Sequence, residues 1–126
     1  MVGRYLGDEY DGPSLTSDTG HTWAVCTCSL AELYYELAGA INNGTLVPHD
    51  PLAATFFSQM GVTASDPAPQ VVTALRNAGD SMLSAVIYHS SKLELSEQFD
   101  QASGYEKSVS NLTWSYASFL LAIAAR

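Results

Sequence analysis

Two segments of this chain are apolar around most of their circumference, and this limits what the chain can fold into. They cover residues 22–41 and the stretch from Asn111 to the end, and both have helical spacing. Helices of this kind need cover on every side. A chain of 126 residues buries only about two thirds of its unfolded surface, so it cannot cover both helices. We therefore expect helices absent from this chain to flank these two, or the chain to oligomerise.

Two further helices are predicted between these segments. Pro48 and Pro51 bracket a short amphipathic helix at residues 52–60, and apolar residues recur at helical spacing over residues 71–87. Asn111 stands where the N-cap of the last helix belongs. No useful run has the two-residue period of a strand, so the sequence predicts the all-α class.

Two long polar stretches join the helices. Residues 4–20 are rich in Gly, Asp and Ser, and residues 91–110 hold Ser, Gln, Asp, Gly and Lys around isolated apolar residues. Loops of this length commonly carry binding or catalytic residues. We expect the function of the chain to depend on them.

Charge and composition exclude several classes of protein. Five Lys and Arg against 13 Asp and Glu give a net charge of -8, which repels nucleic acid and anionic membrane surfaces. With 47% hydrophobic and 14% charged residues, the chain should form a packed core. The apolar part of the last segment, which begins at Trp114, is short for a bilayer span. No export signal follows Met1, so we expect either a cytoplasmic protein or a chain whose N-terminal part is missing.

The two cysteines indicate no disulfide framework. Cys26 and Cys28 lie two residues apart in a predicted helix, and their side chains point roughly 200° apart, which is poor geometry for a disulfide. We expect buried free thiols. His21 lies nearby, but no second pair of ligands follows, so no metal site is expected.

Four short motifs follow one another in a set order. They are Val-Gly-Arg-Tyr at 2–5, Gly-His-Thr-Trp at 20–23 with Cys-Thr at 26–27, Ser-Glu-Gln-Phe-Asp at 96–100 and Leu-Thr-Trp-Ser-Tyr at 112–116. Taken singly, each has an ordinary explanation: Glu97 as a solvated loop residue, Arg4 as a solvated residue near a terminus, and Trp23 and Trp114 as core. Together they resemble the C-terminal part of the catalytic domain of fungal-type glucoamylases, the family 15 glycoside hydrolases. That family usually has Gly-Asn-Pro-Trp where this chain has Gly-His-Thr-Trp.

The resemblance implies a fold and a reaction. The fold is an (α/α)6 toroid, of which residues 1–126 would form the last helices as a C-terminal fragment of the catalytic domain. The reaction is inverting hydrolysis of terminal α-1,4-linked glucose from starch, a glucan or a maltooligosaccharide, with release of β-glucose. Two carboxyl groups, an acid and a base, perform such a reaction, so no cofactor is implied.

The resemblance also implies roles for individual residues. Glu97 matches the general base, and Ser108 matches a residue that hydrogen-bonds that base. Arg4 matches a residue that grips glucose hydroxyls. We expect Arg4 and Glu97 to face one shared cavity. Three aromatic residues match the remaining positions: Tyr10 and Trp23 near the neighbouring subsite, and Trp114 behind the base.

The general acid has no counterpart in this sequence. In the family it lies upstream of the Val-Gly-Arg-Tyr motif. Glu94 and Asp100 are each three residues from Glu97 and cannot straddle a sugar from there. We therefore expect the chain to need the missing N-terminal part of the barrel. The alternative is a helical module that binds carbohydrate without turnover, or a degenerate fragment without activity.

The sequence contains two glycosylation sequons. Asn43-Gly44-Thr45 falls on a turn between helices, which suits glycosylation of a secreted parent enzyme. Asn111-Leu112-Thr113 fits the same pattern, but its predicted cap position favours a structural role.

Overall fold

The computed structural model describes residues 1–12, 20–45, 47–92 and 94–126. Positions 13–19 of the first predicted loop and position 93 of the second lie outside the described residues, as does position 46. The helices of the described part are α1 (Ala24–Asn42), α2 (Pro51–Ser58), α3 (Ala68–His89) and α4 (Thr113–Ala125). The mostly helical class predicted from the sequence is confirmed.

The central element is α1, which packs against both α3 and α4. Near its start, one core cluster joins small α1 residues such as Ala31 to Leu83 and Val86 of α3, to Phe99 and to Ala122 of α4. Toward its end, a second cluster joins α1 to α2 and α3. The members of the second cluster are Tyr34, Ala38, Ile41, Phe57, Val62, Val71 and Leu75.

A small antiparallel sheet accompanies the helices, and the sequence does not predict it. The strands are β1 (Thr22–Trp23), β2 (Gln98–Phe99) and β3 (Glu106–Lys107), in the order β1-β2-β3. Trp23 pairs with Gln98, which in turn pairs with Lys107. Two-residue strands are too short to show a two-residue period, so pairing with distant residues decides their structure.

The predicted N-cap at Asn111 is wrong. Leu112 is the N-cap of α4 and makes no side-chain cap bond. Asn111 precedes it with a left-handed φ of 52°, which Asn tolerates better than most residues. Its Oδ1 accepts a hydrogen bond of 2.6 Å from the Tyr116 hydroxyl instead. In α2, by contrast, Asp50 does cap the helix, accepting from the N–H groups of Leu52 and Ala53.

The packing of α4 is reversed relative to an ordinary amphipathic helix. Its buried residues are the small ones, Ser115, Ser118 and Ala122. Four of its large apolar side chains are exposed, whereas Tyr116 and Phe119 are partly buried against the first core cluster. The exposed ones are Trp114, Leu120, Leu121 and Ile123. Part of the apolar surface of α4, which the sequence predicts to be buried, is therefore not covered by the described residues. None of the described helices is both long enough and apolar enough to cross a bilayer.

Two helical glycines provide a matched test of this packing. A Cβ at Gly39 in α1 would meet nothing within 4 Å, whereas one at Gly79 in α3 would lie 2.6 Å from the Tyr35 ring. Gly39→Ala should raise the free energy of unfolding by about 0.5–1 kcal/mol through helix propensity. Gly79→Ala should lower it by about 1–3 kcal/mol, because the Tyr35 ring must move. Urea denaturation measures both, and equal effects of the two substitutions would contradict the predicted packing.

Candidate active site

The main chain of Glu97 is held from two sides. Its N–H donates to the Val109 carbonyl at 2.8 Å, and its carbonyl accepts from the N–H of Ala24 at 3.3 Å. Ala24 is the first residue of α1, and Glu97 directly precedes β2. The residue is therefore placed where the sheet meets the start of the central helix.

The half-buried side chain of Glu97 has two hydroxyl partners on one carboxylate oxygen. Ser108 Oγ donates a short hydrogen bond to Oε2, and Tyr10 Oη donates to the same atom at 3.4 Å. Ser108 follows β3 and has a left-handed φ of 66°. The contact between Ser108 and Glu97 is therefore present, while its role in catalysis stays a prediction.

Arg4 is fixed by a two-point ion pair with Asp8. Its Nε and Nη2 donate to the two carboxylate oxygens at 2.8 and 2.6 Å. The side chain of Arg4 is one third exposed and that of Asp8 is buried. Arg4 lowers the pKa of the Asp8 carboxyl, although burial acts in the opposite direction. Asp8 is thus an ionised anchor that sets the plane of the guanidinium group.

Aromatic rings surround the Arg4 guanidinium group. Its Cζ lies 4.4 Å from the centre of the Trp23 ring and 5.0 Å from that of Tyr10. Tyr10 also donates its hydroxyl to Glu97. One side chain therefore touches both predicted site residues, which brings Arg4 and Glu97 to the same side of the molecule.

The first motif is tied to the start of α1 by main-chain contacts. The Trp23 N–H donates to the Val2 carbonyl at 3.0 Å, and the Val2 N–H donates to Thr27 Oγ1 at 3.1 Å. A Cβ at Gly20 would lie 2.4 Å from the Asp8 carbonyl oxygen, so this close approach requires glycine. These contacts explain why motifs some twenty residues apart belong to one site.

A groove of about 430 Å³ lies beside Arg4. Asp8 and His21 line it, and Glu97 does not. The expected shared cavity for Arg4 and Glu97 is therefore not formed as one groove by the described residues. The two side chains are linked through Tyr10 instead.

The two predicted tryptophans have opposite environments. Trp23 is 3% exposed, and the guanidinium group of Arg4 covers its ring. The buried Trp23 ring is therefore the surface on which the Arg4 guanidinium group packs. Trp114 is 57% exposed, which is inconsistent with a core position. Beside Glu97, Ser115 Oγ donates to the Ser96 carbonyl at 2.8 Å, and the Tyr116 hydroxyl accepts from the Leu95 N–H at 3.1 Å. The predicted role of Trp114 behind the base stays a prediction.

Two residues of the site escape the sequence analysis. Asp8 follows Arg4 by four residues, but this spacing predicts pairing of opposite charges only in a helix, and residues 4–8 are not helical, so no sequence signal marks Asp8. Gln98 is fully buried, and its Nε2 donates to the Tyr10 carbonyl at 3.2 Å. Its Oε1 and the Nε1 of Trp23 are buried without a hydrogen-bond partner among the described residues. No sequence signal marks Gln98 beyond its place next to Glu97.

The two cysteines and the potential metal-binding side chains form no further site among the described residues. Cys26 and Cys28 are free, and burial raises the pKa of the Cys28 thiol to about 11, so it stays protonated. Within the described ranges, no group of three or more His, Cys, Asp or Glu residues could hold a metal ion.

Comparison with known proteins agrees with the motifs. The model of the family "Glycosyl hydrolases family 15" matches residues 1–124. A probable glucoamylase of Schizosaccharomyces pombe is 32% identical over 127 residues, which are 99% of this chain and 28% of that protein. A glucoamylase of Neurospora crassa is 32% identical over 134 residues, which are 99% of this chain and 20% of that protein. The chain thus spans less than a third of the length of these relatives.

Solved structures give the architecture. The chain superposes on Hormoconis resinae glucoamylase with a TM-score of 0.81 and 29% identity, covering 99% of this chain and 22% of that one. Such neighbours are (α/α)6 barrels, so the predicted partial (α/α)6 toroid is confirmed. Membership of this family makes the protein a glycoside hydrolase by family. The chain belongs to family 15 of the glycosyl hydrolases.

Proposed function

We propose that this chain supplies the general base and part of the sugar-binding surface of an inverting glucoamylase. Residues 1–126 would be the C-terminal part of its catalytic domain. The observation that carries the proposal is the link from Glu97 through Tyr10 to the Asp8-anchored Arg4. The substrate would be the non-reducing end of an α-1,4-glucan or maltooligosaccharide.

Glu97 is the proposed general base. In an inverting reaction, an ionised carboxylate takes a proton from water while that water attacks the anomeric carbon on the face opposite the leaving group. The hydroxyls of Ser108 and Tyr10 donate to Oε2 of Glu97. The other oxygen, Oε1, then remains for the attacking water.

Arg4 is the proposed anchor for sugar hydroxyls. A guanidinium group offers several donors in one plane, and Asp8 occupies only Nε and Nη2. Donors on Nη1 remain for hydroxyls in the groove beside Arg4. We assign Tyr10 to direct sugar contact near the neighbouring subsite. Buried Trp23 would act there as the support of Arg4.

The general acid would come from outside this chain. Nearby carboxylates are already engaged: Asp8 binds Arg4, Asp100 accepts from Ser103, and Glu106 accepts from the N–H groups of Ser91 and Ser96. An inverting pair needs about 6.5–9.5 Å between its carboxyl groups, with the sugar between them. We propose that the N-terminal part of the barrel provides this acid.

The compartment also stays a proposal. Secretion of the parent enzyme would agree with the sequon at Asn43, which is exposed directly after α1. The Asn111 sequon is exposed as well, but its side chain is engaged with Tyr116. We therefore assign glycosylation to Asn43.

The base role is testable in a chimera in which this chain replaces the matching segment of the Hormoconis resinae glucoamylase. Glu97→Gln should lower kcat for maltose roughly 10²–10⁴-fold with little change in KM, because the amide cannot accept the proton. Exposed Glu94 is the matched control, and Glu94→Gln should leave kcat within about twofold. An active chimera whose kcat survives Glu97→Gln would refute the role of Glu97 as base.

The same chimera tests inversion separately. If water activated by Glu97 attacks directly, the glucose released from the non-reducing end of a longer maltooligosaccharide such as maltotriose is the β-anomer. Proton NMR of the anomeric region, recorded before mutarotation, distinguishes the two anomers. Initial release of the α-anomer would mean that a retaining mechanism operates.

The role of Arg4 is testable through KM. Arg4→Lys keeps the charge but loses the planar set of donors, so we expect KM for maltose to rise about tenfold or more. Arg76 on the exposed face of α3 is the matched control, and Arg76→Lys should leave KM unchanged. Thermal melts of both variants establish that each is folded. An unchanged KM in folded Arg4→Lys would remove Arg4 from the proposed sugar site.

A further inference from the structure

A cluster of charged side chains lies next to the proposed base and has no part in the mechanism above. Lys107 Nζ forms an ion pair with Asp11 Oδ1 and lies 3.8 Å from Asp100 Oδ2. His21 Nε2 lies 2.6 Å from the same Asp11 oxygen. The side chains of Asp11 and His21 are only 11% and 5% exposed. We call Asp11, His21 and Lys107 the clasp.

The main chain sets the tautomer of His21. The Gln101 N–H donates to Nδ1 at 3.2 Å, so Nδ1 carries no proton in this arrangement. Nε2 then carries the hydrogen and donates it to Asp11. Lys107 Nζ lies 3.3 Å from Nε2, but both atoms are donors, so Lys107 binds the Asp11 carboxylate rather than the ring. Asp11 is therefore held from two sides.

The clasp is adjacent in sequence to the donor of Glu97. Gly12 follows Asp11, and Ser108 follows Lys107. A Cβ at Gly12 would lie 2.9 Å from Ser108 Oγ, so the two residues pack directly against each other. Ser108 has a φ of 66°, a left-handed conformation that is unfavourable for a residue with a Cβ. Contacts outside Ser108 must offset this cost.

We propose that Lys107 is a positioning residue. Through the clasp it keeps Ser108 in the left-handed conformation in which Oγ reaches Glu97. The consequence for turnover rests on the proposed function, whereas the positioning itself does not. Lys107 forms its ion pair with Asp11 and not with Glu97. Its effect on Glu97 is therefore indirect and passes through Ser108, which contacts the carboxylate.

The geometric test uses the 126-residue chain and the carbon-13 resonance of the Glu97 carboxylate at pH 7. Ser108→Ala should displace this resonance by removing the hydroxyl donor. Lys107→Met should displace it in the same direction by a comparable amount. The double variant Lys107→Met/Ser108→Ala should move it no further than Ser108→Ala alone, and Lys107→Arg should retain the wild-type position.

Controls separate positioning from loss of charge or of fold. Lys92 is exposed, and Lys92→Met removes the same charge and should leave the resonance unmoved. If Lys107→Met does not fold, Asp11→Asn replaces it, with the same expected displacement. The proposal is overturned if the folded clasp variant leaves the resonance in place. It is equally overturned if the displacement adds in full to that of Ser108→Ala.

A kinetic test in the chimera links the clasp to the reaction. Lys107→Met and Ser108→Ala should each lower kcat about tenfold with KM unchanged, and the double variant should fall no further. If Glu97→Gln has no effect while the resonance tests succeed, the proposed function fails and the clasp stands. If Glu97→Gln abolishes turnover while Lys107→Met changes neither kcat nor the resonance, the clasp fails and the function stands.

Discussion

The two main-chain hydrogen bonds of Glu97 are the constraint on which the arrangement of the site depends. One joins Glu97 to Val109 after β3, and the other joins it to Ala24 at the start of α1. Because they involve the backbone of Glu97 itself, its Cα cannot shift without disturbing the sheet or the first turn of the central helix. Hydroxyls from two separate loops, those of Tyr10 and Ser108, then meet the same oxygen of a fixed group. A rigid backbone holding a half-buried carboxylate is what a positioned base requires.

The helices could be predicted from the sequence because apolar spacing over ten to twenty residues is a strong local signal. The sheet could not be, because each strand has two residues and owes its structure to partners such as Phe99 for Thr22, more than seventy positions away. The helix α4 shows a different failure. Its sequence is apolar all round, so periodicity cannot identify the packed face, and the face that packs is the small one, with Ser115 and Ser118. Trp114 therefore lies outward, contrary to the expectation that a tryptophan in a helix is core.

In the site, too, one contact between residues close in sequence could be predicted, and contacts between distant segments could not. The proximity of Ser108 to Glu97 could be anticipated from the motif resemblance, and only eleven positions separate them in the sequence. The anchoring of Arg4 by Asp8 has no such signal, because a four-residue spacing predicts pairing of opposite charges only in a helix and residues 4–8 are not helical. The clasp has none: Asp11, His21 and Lys107 come from three segments, and His21 stands where the family usually has Asn. Only the fold shows that a lysine next to the predicted Ser108 is tied to the loop that carries Tyr10.

The environments of the carboxyl groups near Glu97 also support the proposal that the general acid comes from outside this chain. A general acid must hold a proton at the working pH, which requires an environment that disfavours its ionised form. The pKa of Asp8 is lowered chiefly by Arg4, and that of Asp100 is lowered chiefly by the Ser103 hydroxyl. Both carboxyls are thus stabilised as anions and are poor proton donors. The contacts of Asp8 and Asp100 therefore make both of these neighbours of Glu97 unsuitable for the role of the acid. The opposite environment, apolar and poor in donors, would have to be built by helices that pack against this chain, and the uncovered apolar surface of α4 is one face still open to such packing.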